Sequence, residues 1–307
     1  MAPWTPDPRL HPRFPLVDGG SPLTRLPRFA AALGGRCEIW IKREDLLPLA
    51  FGGNKIRSLE YLVGAALAEG ADCLVTTGRR WSNHARLTAA AGARAGLEVH
   101  LVLSGPPTEP PNPGVVLDEL LGATVHHAAT ADRAERSALL DYVVAELRAG
   151  GRKPHVIPTG GGSVTGAIGQ VTAALELLAD GRAQDVAFDD VIVPSATGGT
   201  QAGLLVGART GGSPMTIHGV AVVAPDELHA AVTGLVAGLA GVPGLARVPD
   251  GEIVIDSTQL GAGYGRRTVA ADEATRLLAR TEGILVDPIY TAKAVAALVA
   301  LARSGTL

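Results

Sequence analysis

Short apolar runs typical of β-strands alternate along this chain with longer alanine- and leucine-rich stretches that have helical spacing. This alternation constrains the fold more than any other feature, because repeated strand–helix–strand units build parallel sheets with helices on both faces. We therefore predict an α/β fold with doubly wound, mostly parallel sheets. The predicted strands are Glu38–Lys42, Cys73–Thr77, Val99–Leu103, Val125–His127, His155–Pro158, Val191–Pro194, His218–Val223 and Ile284–Val286.

Length and composition limit the classes of partner. The chain has 307 residues, 47% of them hydrophobic, and a core of that size tends to divide into two domains. Charged residues make up 19%, are scattered, and leave a formal net charge of -3. Proteins that bind nucleic acid or membrane surfaces usually concentrate positive charge on one face. We therefore expect neither nucleic acid nor membrane as a partner, and a small polar ligand instead.

The cysteines and the N-terminal segment bear on the cell compartment. Cys37 and Cys73 show no CxxC or metal-ligand spacing, so we expect two reduced thiols and no metal site. Residues 1–16 are interrupted by prolines and charges and lack the apolar stretch of a secretion signal. We therefore predict a cytoplasmic location.

Lys55 stands where a glycine turn becomes an amphipathic helix. Gly52-Gly53 precedes it, and an apolar stripe starting at Leu59 follows it, so Lys55 should lie in or just before the first helical turn. The positive end of a helix dipole and burial both favour the neutral amine. A neutral amine can attack a carbonyl, which makes Lys55 a candidate for Schiff-base chemistry. A solvated lysine at a helix start is the alternative interpretation.

The segment Ser195–Gly203 lies between an apolar strand pattern and a helical run. Its hydroxyls and backbone amides would face the positive end of that helix, which favours a bound anion, best a phosphate monoester. It lacks the lysine of a nucleotide P-loop. An ordinary tight turn explains this motif equally well.

Two further turns have the same strand–turn–helix order. Thr76–His84 carries polar residues suited to a carboxylate, although Ser82 and Asn83 are also good helix N-caps that need no function. Gly160–Gly166 formally spells GxGxxxG, a weak signal for a nicotinamide cofactor, because it occurs in mid-chain after Pro158. Near the C-terminus, other polar side chains follow a strand pattern or a glycine-rich segment, and each alone is more often structural: Tyr264, Tyr290 and Thr291.

Taken together, five blocks resemble, in order, the pyridoxal 5′-phosphate (PLP)-dependent family that contains D-cysteine desulfhydrase and 1-aminocyclopropane-1-carboxylate (ACC) deaminase. The family belongs to fold type II of the PLP enzymes, and the resemblance extends from about Pro22 to Leu301. The blocks are Lys42-Arg43-Glu44-Asp45, Phe51-Gly52-Gly53-Asn54-Lys55-Ile56-Arg57, Ser82-Asn83-His84-Ala85-Arg86, Ser195–Gly203 and Leu285–Lys293.

The resemblance implies a set of residues that bind the cofactor. Lys55 would form the Schiff base with PLP, Asn83 would meet its 3′ oxygen, and Thr291 would lie near its pyridine nitrogen. The remaining predicted cofactor-binding residues are Asn54 and the phosphate-binding group Thr197, Gly198, Gly199 and Thr200.

The resemblance also implies a substrate side. Ser82 and His84 would lie near the substrate carboxylate, and Asn83 and Trp81 are further predicted substrate-binding residues. The predicted catalytic residues are Lys55, Ser82, Tyr264 and Tyr290.

The family fold predicts a large domain, residues 1–48 and 156–307, and a small α/β domain, residues 49–155. The cofactor is expected in the cleft between them, and family members are usually homodimers. The implied reaction is β-elimination from a small D-amino acid, converting D-cysteine to pyruvate, sulfide and ammonia. His84 and Thr291 favour the desulfhydrase branch, since the ACC deaminase branch is expected to carry Gln and Glu there.

Two departures from the family keep alternatives open. Arg79-Arg80-Trp81 replaces a smaller glycine-rich turn and indicates β-replacement or racemase activity as one alternative, and ACC deaminase is the other. The usual last strand with a His-Thr-Gly-Gly turn has no counterpart in the printed sequence. A PLP-binding protein with little catalysis is therefore the non-enzyme alternative, and a nicotinamide reductase is the least favoured interpretation.

Overall fold

The computed structural model describes residues 4–307. The strands are β1 (Leu23–Arg25), β2 (Trp40–Lys42), β3 (Cys73–Arg79), β4 (Glu98–Ser104), β5 (Thr124–His127), β6 (Pro154–Ile157), β7 (Asp190–Ser195), β8 (Thr216–Ala221) and β9 (Val254–Asp256). The α-helices are α1 (Pro27–Ala32), α2 (Lys55–Ala68), α3 (Asn83–Ala95), α4 (Pro113–Leu120), α5 (Arg133–Ala149), α6 (Val164–Ala183), α7 (Gly199–Thr210), α8 (Pro225–Leu239), α9 (Val269–Glu282) and α10 (Thr291–Ser304).

The chain divides into two compact units. The first comprises Ser21–Arg43 and Gln170–Leu307 together with Trp4, and the second comprises Thr5–Gly20 and Glu44–Gly169. The predicted large and small domains are a statement about independent folding, which this division of contacts does not test. Their boundaries therefore stay a prediction.

The second unit is built on a four-stranded parallel sheet in the order β5-β4-β3-β6. Side chains of β3 alternate between its faces: Leu74 joins a cluster that includes residues of α2 and α3, whereas Val75 packs with residues of α5. Because both faces are covered, the strands read in sequence as nearly continuous apolar runs.

The first unit contains a parallel sheet in the order β7-β8-β9 and an antiparallel pair, β1 with β2. Val220 of β8 packs with alanines of α10, and a second cluster joins α1, α9 and α10 around Phe29. The mixed α/β architecture with parallel sheets confirms the predicted fold class.

Every predicted strand except the last coincides with an observed strand. The prediction for Ile284–Val286 is wrong, since this extended segment pairs with no strand in the described part of the chain. Its alternation is real, because Ile284 is buried while Leu285 is 79% exposed. Alternating burial alone does not make a strand without a hydrogen-bonding neighbour. Strands β1 and β9, each of three residues, were not predicted.

Within residues 4–307, no helix has both the length and the apolar character required to cross a bilayer.

Candidate active site

Lys55 is the first residue of α2, as predicted. The loop before it has an unusual backbone, since residues 50–53 all have positive φ, from 42° to 127°. A Cβ on Gly52 would lie 2.4 Å from the carbonyl oxygen of Asp45, so a larger residue does not fit there. The glycine turn therefore brings the Lys55 loop into close contact with the backbone of residues 44–45.

The side chain of Lys55 is held by one backbone carbonyl. Its Nζ donates to the oxygen of Gly160 at 2.8 Å, and burial lowers the Lys55 pKa to about 8. A substantial fraction of the amine is therefore neutral near physiological pH. Gly160 belongs to the turn between β6 and α6, so the glycine-rich GxGxxxG segment contributes a carbonyl beside the lysine.

A buried ion pair fixes the other side of the Lys55 loop. Arg57, which is 5% exposed, donates two hydrogen bonds of 3.0 Å to the carboxylate of Glu44. The N–H of Gly53 donates to the carbonyl of Glu44 at 2.8 Å. Glu44 thus connects two of the sequence blocks, and bidentate pairing of this kind restricts geometry strongly.

Ser82 and Asn83 begin α3. Ser82 is the N-cap, and its Oγ accepts a hydrogen bond from the N–H of Ala85 at 3.2 Å. Because Oγ acts as acceptor in that bond, the hydroxyl proton of Ser82 remains available to a ligand. Asn83 Oδ1 accepts from Nη2 of Arg86 at 3.2 Å. Sequence reasoning quoted Arg86 in a block but missed this contact.

His84 is 2% exposed and points into the core rather than toward solvent. Its Nε2 lies 3.2 Å from Oγ1 of Thr76, whose own proton is donated to the carbonyl of Ile157. Nε2 must therefore carry the ring proton, and Nδ1 is a buried acceptor without a partner in the described residues. Burial first, and then the charge of Lys55, lower the His84 pKa to about 3. The neutral ring has no free N–H to offer a substrate carboxylate.

The Arg79-Arg80-Trp81 turn follows β3. Arg80 donates from Nη1 to the carbonyl of Pro106 at 2.6 Å, and a Cβ on Gly114 would lie 2.5 Å from the Arg80 carbonyl oxygen. Arg80 is thus engaged with the proline-rich loop before α4. Trp81 is 38% exposed.

The predicted phosphate loop lies in the first unit, between β7 and α7. Gly198, the N-cap of α7, has φ of 77°, and a Cβ there would lie 3.0 Å from Cγ2 of Val232. The hydroxyl of Ser195 is buried and has no partner among residues 4–307. The first amides of any α-helix also lack intrahelical acceptors. A buried unpaired hydroxyl at the end of the strand that precedes these amides fits a bound phosphate.

Thr291 begins α10 and is capped by a carboxylate. Oδ2 of Asp287 accepts from the Thr291 N–H at 3.0 Å and from its hydroxyl at 2.7 Å. The other oxygen, Oδ1, accepts from the N–H of Tyr290 at 2.7 Å. The Thr291 hydroxyl therefore donates to Asp287 and presents lone pairs to any further partner.

Tyr264 and Tyr290 come together in the first unit. Their hydroxyls share a hydrogen bond, and their rings meet edge to face with centroids 6.0 Å apart. Sequence reasoning gave Lys293 no role, yet this residue is completely buried and donates to the carbonyls of Leu260 at 2.7 Å and Gly263 at 3.4 Å. Lys293 thereby holds the loop that carries Tyr264. A lysine among the buried alanines of α10 is the signal that could have identified it.

The thiols are both free. Cys73 is fully buried at the start of β3, and burial raises its pKa to about 12, whereas Cys37 is half-buried. Among residues 4–307, no cluster of three or more histidine, cysteine or acidic side chains is arranged to hold a metal ion.

A buried lysine of lowered pKa at a helix start and a glycine-rich loop after a parallel strand are both features expected of one class of protein, the PLP-dependent enzymes. Residues 15–307 match the family described as pyridoxal-phosphate dependent enzyme. The chain belongs to this family, and PLP is its cofactor.

Similar proteins agree with this assignment. The chain is 38% identical over 294 residues to D-cysteine desulfhydrase of Salmonella choleraesuis, covering 94% of this chain and 88% of that protein. It is 35% identical over 304 residues to a putative 1-aminocyclopropane-1-carboxylate deaminase of Pyrococcus furiosus, covering 96% and 88%.

Solved structures are also similar. An ACC deaminase homologue superposes with a TM-score of 0.90 at 34% identity, covering 98% of this chain and 90% of that one. A threonine deaminase from T.th. has a TM-score of 0.66 at 23% identity, covering 93% and 88%, and shows the shared fold alone. The predicted family, fold class and cofactor are confirmed.

Proposed function

We propose that this protein is a PLP-dependent lyase that removes the β-substituent of a small D-amino acid. For D-cysteine, one molecule of water is consumed and pyruvate, sulfide and ammonia are released. The observation that carries the proposal is Lys55 at the start of α2, with its amine held by Gly160 and its pKa lowered to about 8. The D-cysteine desulfhydrase relative, 38% identical, supports the choice of substrate.

When bound, PLP supplies an electron sink that allows an amino acid to lose its Cα proton. Lys55 is proposed as the covalent attachment point for the cofactor and, once released, as the base that takes this proton. A base is most effective when its pKa lies near the working pH, and burial brings Lys55 toward that range. Asn54 is placed beside it at the N-cap of α2.

The phosphate is proposed to bind the loop after β7, through Thr197, Gly198, Gly199 and Thr200. The buried hydroxyl of Ser195, without a partner in the described residues, adds a donor that sequence reasoning did not assign. Asn83 is proposed to donate to the 3′ oxygen of the cofactor. Thr291 is proposed to meet the pyridine nitrogen.

The substrate side is proposed to include Ser82, whose hydroxyl proton is available for the substrate carboxylate because its Oγ only accepts from Ala85. Asn83, His84 and Trp81 stay further candidates for this side. The bonded hydroxyls of Tyr264 and Tyr290 can pass a proton between them, which suits protonation of a departing sulfur.

ACC deaminase is the second candidate. It is supported by the Pyrococcus furiosus relative at 35% identity and by the ACC deaminase homologue with a TM-score of 0.90. The product separates the two, because ACC would yield 2-oxobutyrate whereas D-cysteine yields pyruvate. A cytoplasmic location and a homodimer complete the proposal, and both rest on the sequence.

The test is product release by the purified, PLP-loaded protein with D-cysteine, L-cysteine and ACC in parallel. Pyruvate from D-cysteine alone is the expected result. 2-Oxobutyrate from ACC would favour the second candidate. If none of the three compounds gave a product while PLP was bound, the lyase proposal would be overturned. Racemase activity, β-replacement activity and cofactor binding alone would then remain, and analysis of the amino-acid enantiomers would separate them.

A further inference from the structure

Arg86 contacts both segments of the second unit that are proposed to meet the cofactor. It lies one turn after Asn83 on α3, and its guanidinium donates to three acceptors. Nη1 donates to the carbonyl of Ala50, and Nη2 donates to the carbonyl of Gly52 at 3.3 Å and to Oδ1 of Asn83 at 3.2 Å. One side chain therefore joins the Lys55 loop to the start of α3.

The Lys55 loop needs such a constraint. Ala50 and Phe51 have positive φ, 42° and 66°, a conformation that side chains other than glycine adopt at a cost. The Phe51 side chain is 78% exposed, so its own packing does not fix the loop. Strained backbone persists only when its surroundings over-determine it, and the bonds from Arg86 to Ala50 and Gly52 hold the carbonyls of this stretch.

The third bond decides which way the Asn83 amide faces. A guanidinium has donors and no acceptor, so it can bond only to the oxygen of the amide. The amino group of Asn83 is then directed away from Arg86 as a donor. A donor is what a phenolate oxygen such as the 3′ oxygen of PLP requires. Without Arg86, nothing in this contact distinguishes the two amide orientations.

A buried carboxyl on α4 interacts with Arg86 through charge. Asp118 is 1% exposed, and the charges of Asp118 and Arg86 interact. Arg86 thus donates to acceptors on two segments, the Lys55 loop and the start of α3, and interacts through charge with Asp118 of α4. The ammonium group of a lysine could not bond to these acceptors as the planar guanidinium of Arg86 does.

We propose that Arg86 is a positioning residue that sets the loop before Lys55 and orients Asn83 to donate to the cofactor. The second half of this statement rests on the proposed function, because it requires that Asn83 meets PLP. The first half does not, since the loop contacts belong to the protein itself.

The proposed effect of Arg86 on the loop before Lys55 is tested by backbone hydrogen exchange of residues 48–55 in the PLP-free protein. Arg86→Gln should raise exchange there by on the order of tenfold or more, because local opening becomes easier. Arg86→Lys should lie between this variant and the parent. Arg94→Gln, which removes an exposed arginine from the last turn of the same helix, is the matched control and should leave exchange in residues 48–55 unchanged.

The proposed orientation of the Asn83 side-chain amide is tested by the pH dependence of the visible absorbance of bound PLP. Asn83→Asp keeps an oxygen for Arg86 but loses the donor, so it should shift the titration while leaving loop exchange at the parent value. Arg86→Gln should change both. Arg86→Lys serves if Arg86→Gln does not fold.

Parent-like exchange in residues 48–55 of a folded Arg86 variant would overturn the loop assignment. A parent-like titration in a folded Arg86 variant would overturn the amide assignment, whatever the titration of Asn83→Asp. If the parent protein bound no PLP, the proposed function would fail, and the exchange result would still decide the loop assignment.

Discussion

Helices α2 and α7 both begin directly after a glycine turn, yet they present opposite chemistry at their first residues. Helix α2 begins with Lys55, a potential cation at the positive helix end, where a carbonyl from another turn holds the amine. Helix α7 begins with uncharged residues beside the buried Ser195 hydroxyl. A helix start after a glycine turn is thus proposed to serve a nucleophile in one unit and an anion in the other.

Mutations should affect the two helix starts differently. The proposed function of the α2 start depends on one side chain, whereas that of the α7 start depends on backbone amides shared by several residues. Side-chain replacement should therefore be most damaging at α2, and replacement that changes backbone shape should be most damaging at α7.

The largest effect is expected from Lys55→Gln. Removing the amine should abolish covalent PLP binding and lower turnover by more than about 10³-fold, since it removes both the attachment point and the base. Absorbance and product release measure the two losses. Lys153→Gln, at an exposed position of the same unit, is the control, and parent-like turnover in Lys55→Gln would remove the basis of the comparison.

The next effect is expected from Gly198→Ala. The new Cβ would lie 3.0 Å from Val232 in a residue with φ of 77°, so the loop must distort. Strain of about 1–3 kcal/mol corresponds to roughly 5- to 150-fold weaker PLP binding. Pyridoxal, which lacks the phosphate, should bind variant and parent alike.

Gly212→Ala is the matched control for Gly198→Ala. Gly212 lies just beyond the other end of α7, has φ of 75°, and has open space around its Cβ position. It should lose stability without losing preference for PLP over pyridoxal. If Gly198→Ala weakened pyridoxal binding as much as PLP binding, the start of α7 would not bind the phosphate.

An effect that is small near neutral pH and grows with acidity concerns the stability contributed by His84 beside Lys55. Its pKa is about 3 in the folded protein and near 6.5 in the unfolded chain, so the unfolded state binds more protons between these values. The free energy of unfolding should therefore fall by about 1.4 kcal/mol per unit as pH decreases below 6.5. Denaturant titrations of the parent and His84→Gln should show this slope reduced in the variant.

His229→Gln, an exposed histidine on α8, is the control for His84→Gln. An unchanged acid slope in His84→Gln would mean that the ring is not held neutral, and that the region around Lys55 is more hydrated than its burial indicates.

The smallest effect is expected from Lys293→Met in the first unit. The carbonyls of Leu260 and Gly263 would lose their donor, at about 1–2 kcal/mol, while removal of a buried charge offsets part of this cost. A net loss of about 1 kcal/mol is expected, with faster hydrogen exchange in residues 257–267. Unchanged exchange in this loop would show that Tyr264 is positioned without Lys293.

The sequence predicted the features that depend on neighbouring residues. The position of Lys55 follows from adjacent glycines and an apolar stripe, and most strands follow from apolar runs between turns. Contacts between distant segments were not predictable: the carbonyl acceptors of Arg86 and Lys293 come from loops that sequence spacing does not bring together. Ile284–Val286 failed for the same reason, because a strand requires a partner that no local pattern reveals.

The two thiols differ in exposure, so their reactivity can report local opening of the molecule. Cys37 lies in the unit that holds α7 and is half-buried, while Cys73 lies in the unit that holds Lys55 and is fully buried with a pKa of about 12. An alkylating reagent should therefore label Cys37 in the folded protein and reach Cys73 only when the sheet around β3 separates. Timed labelling followed by mass spectrometry would thus measure how often the sheet around β3 opens, with Cys37 as the internal reference in the same unmutated sample.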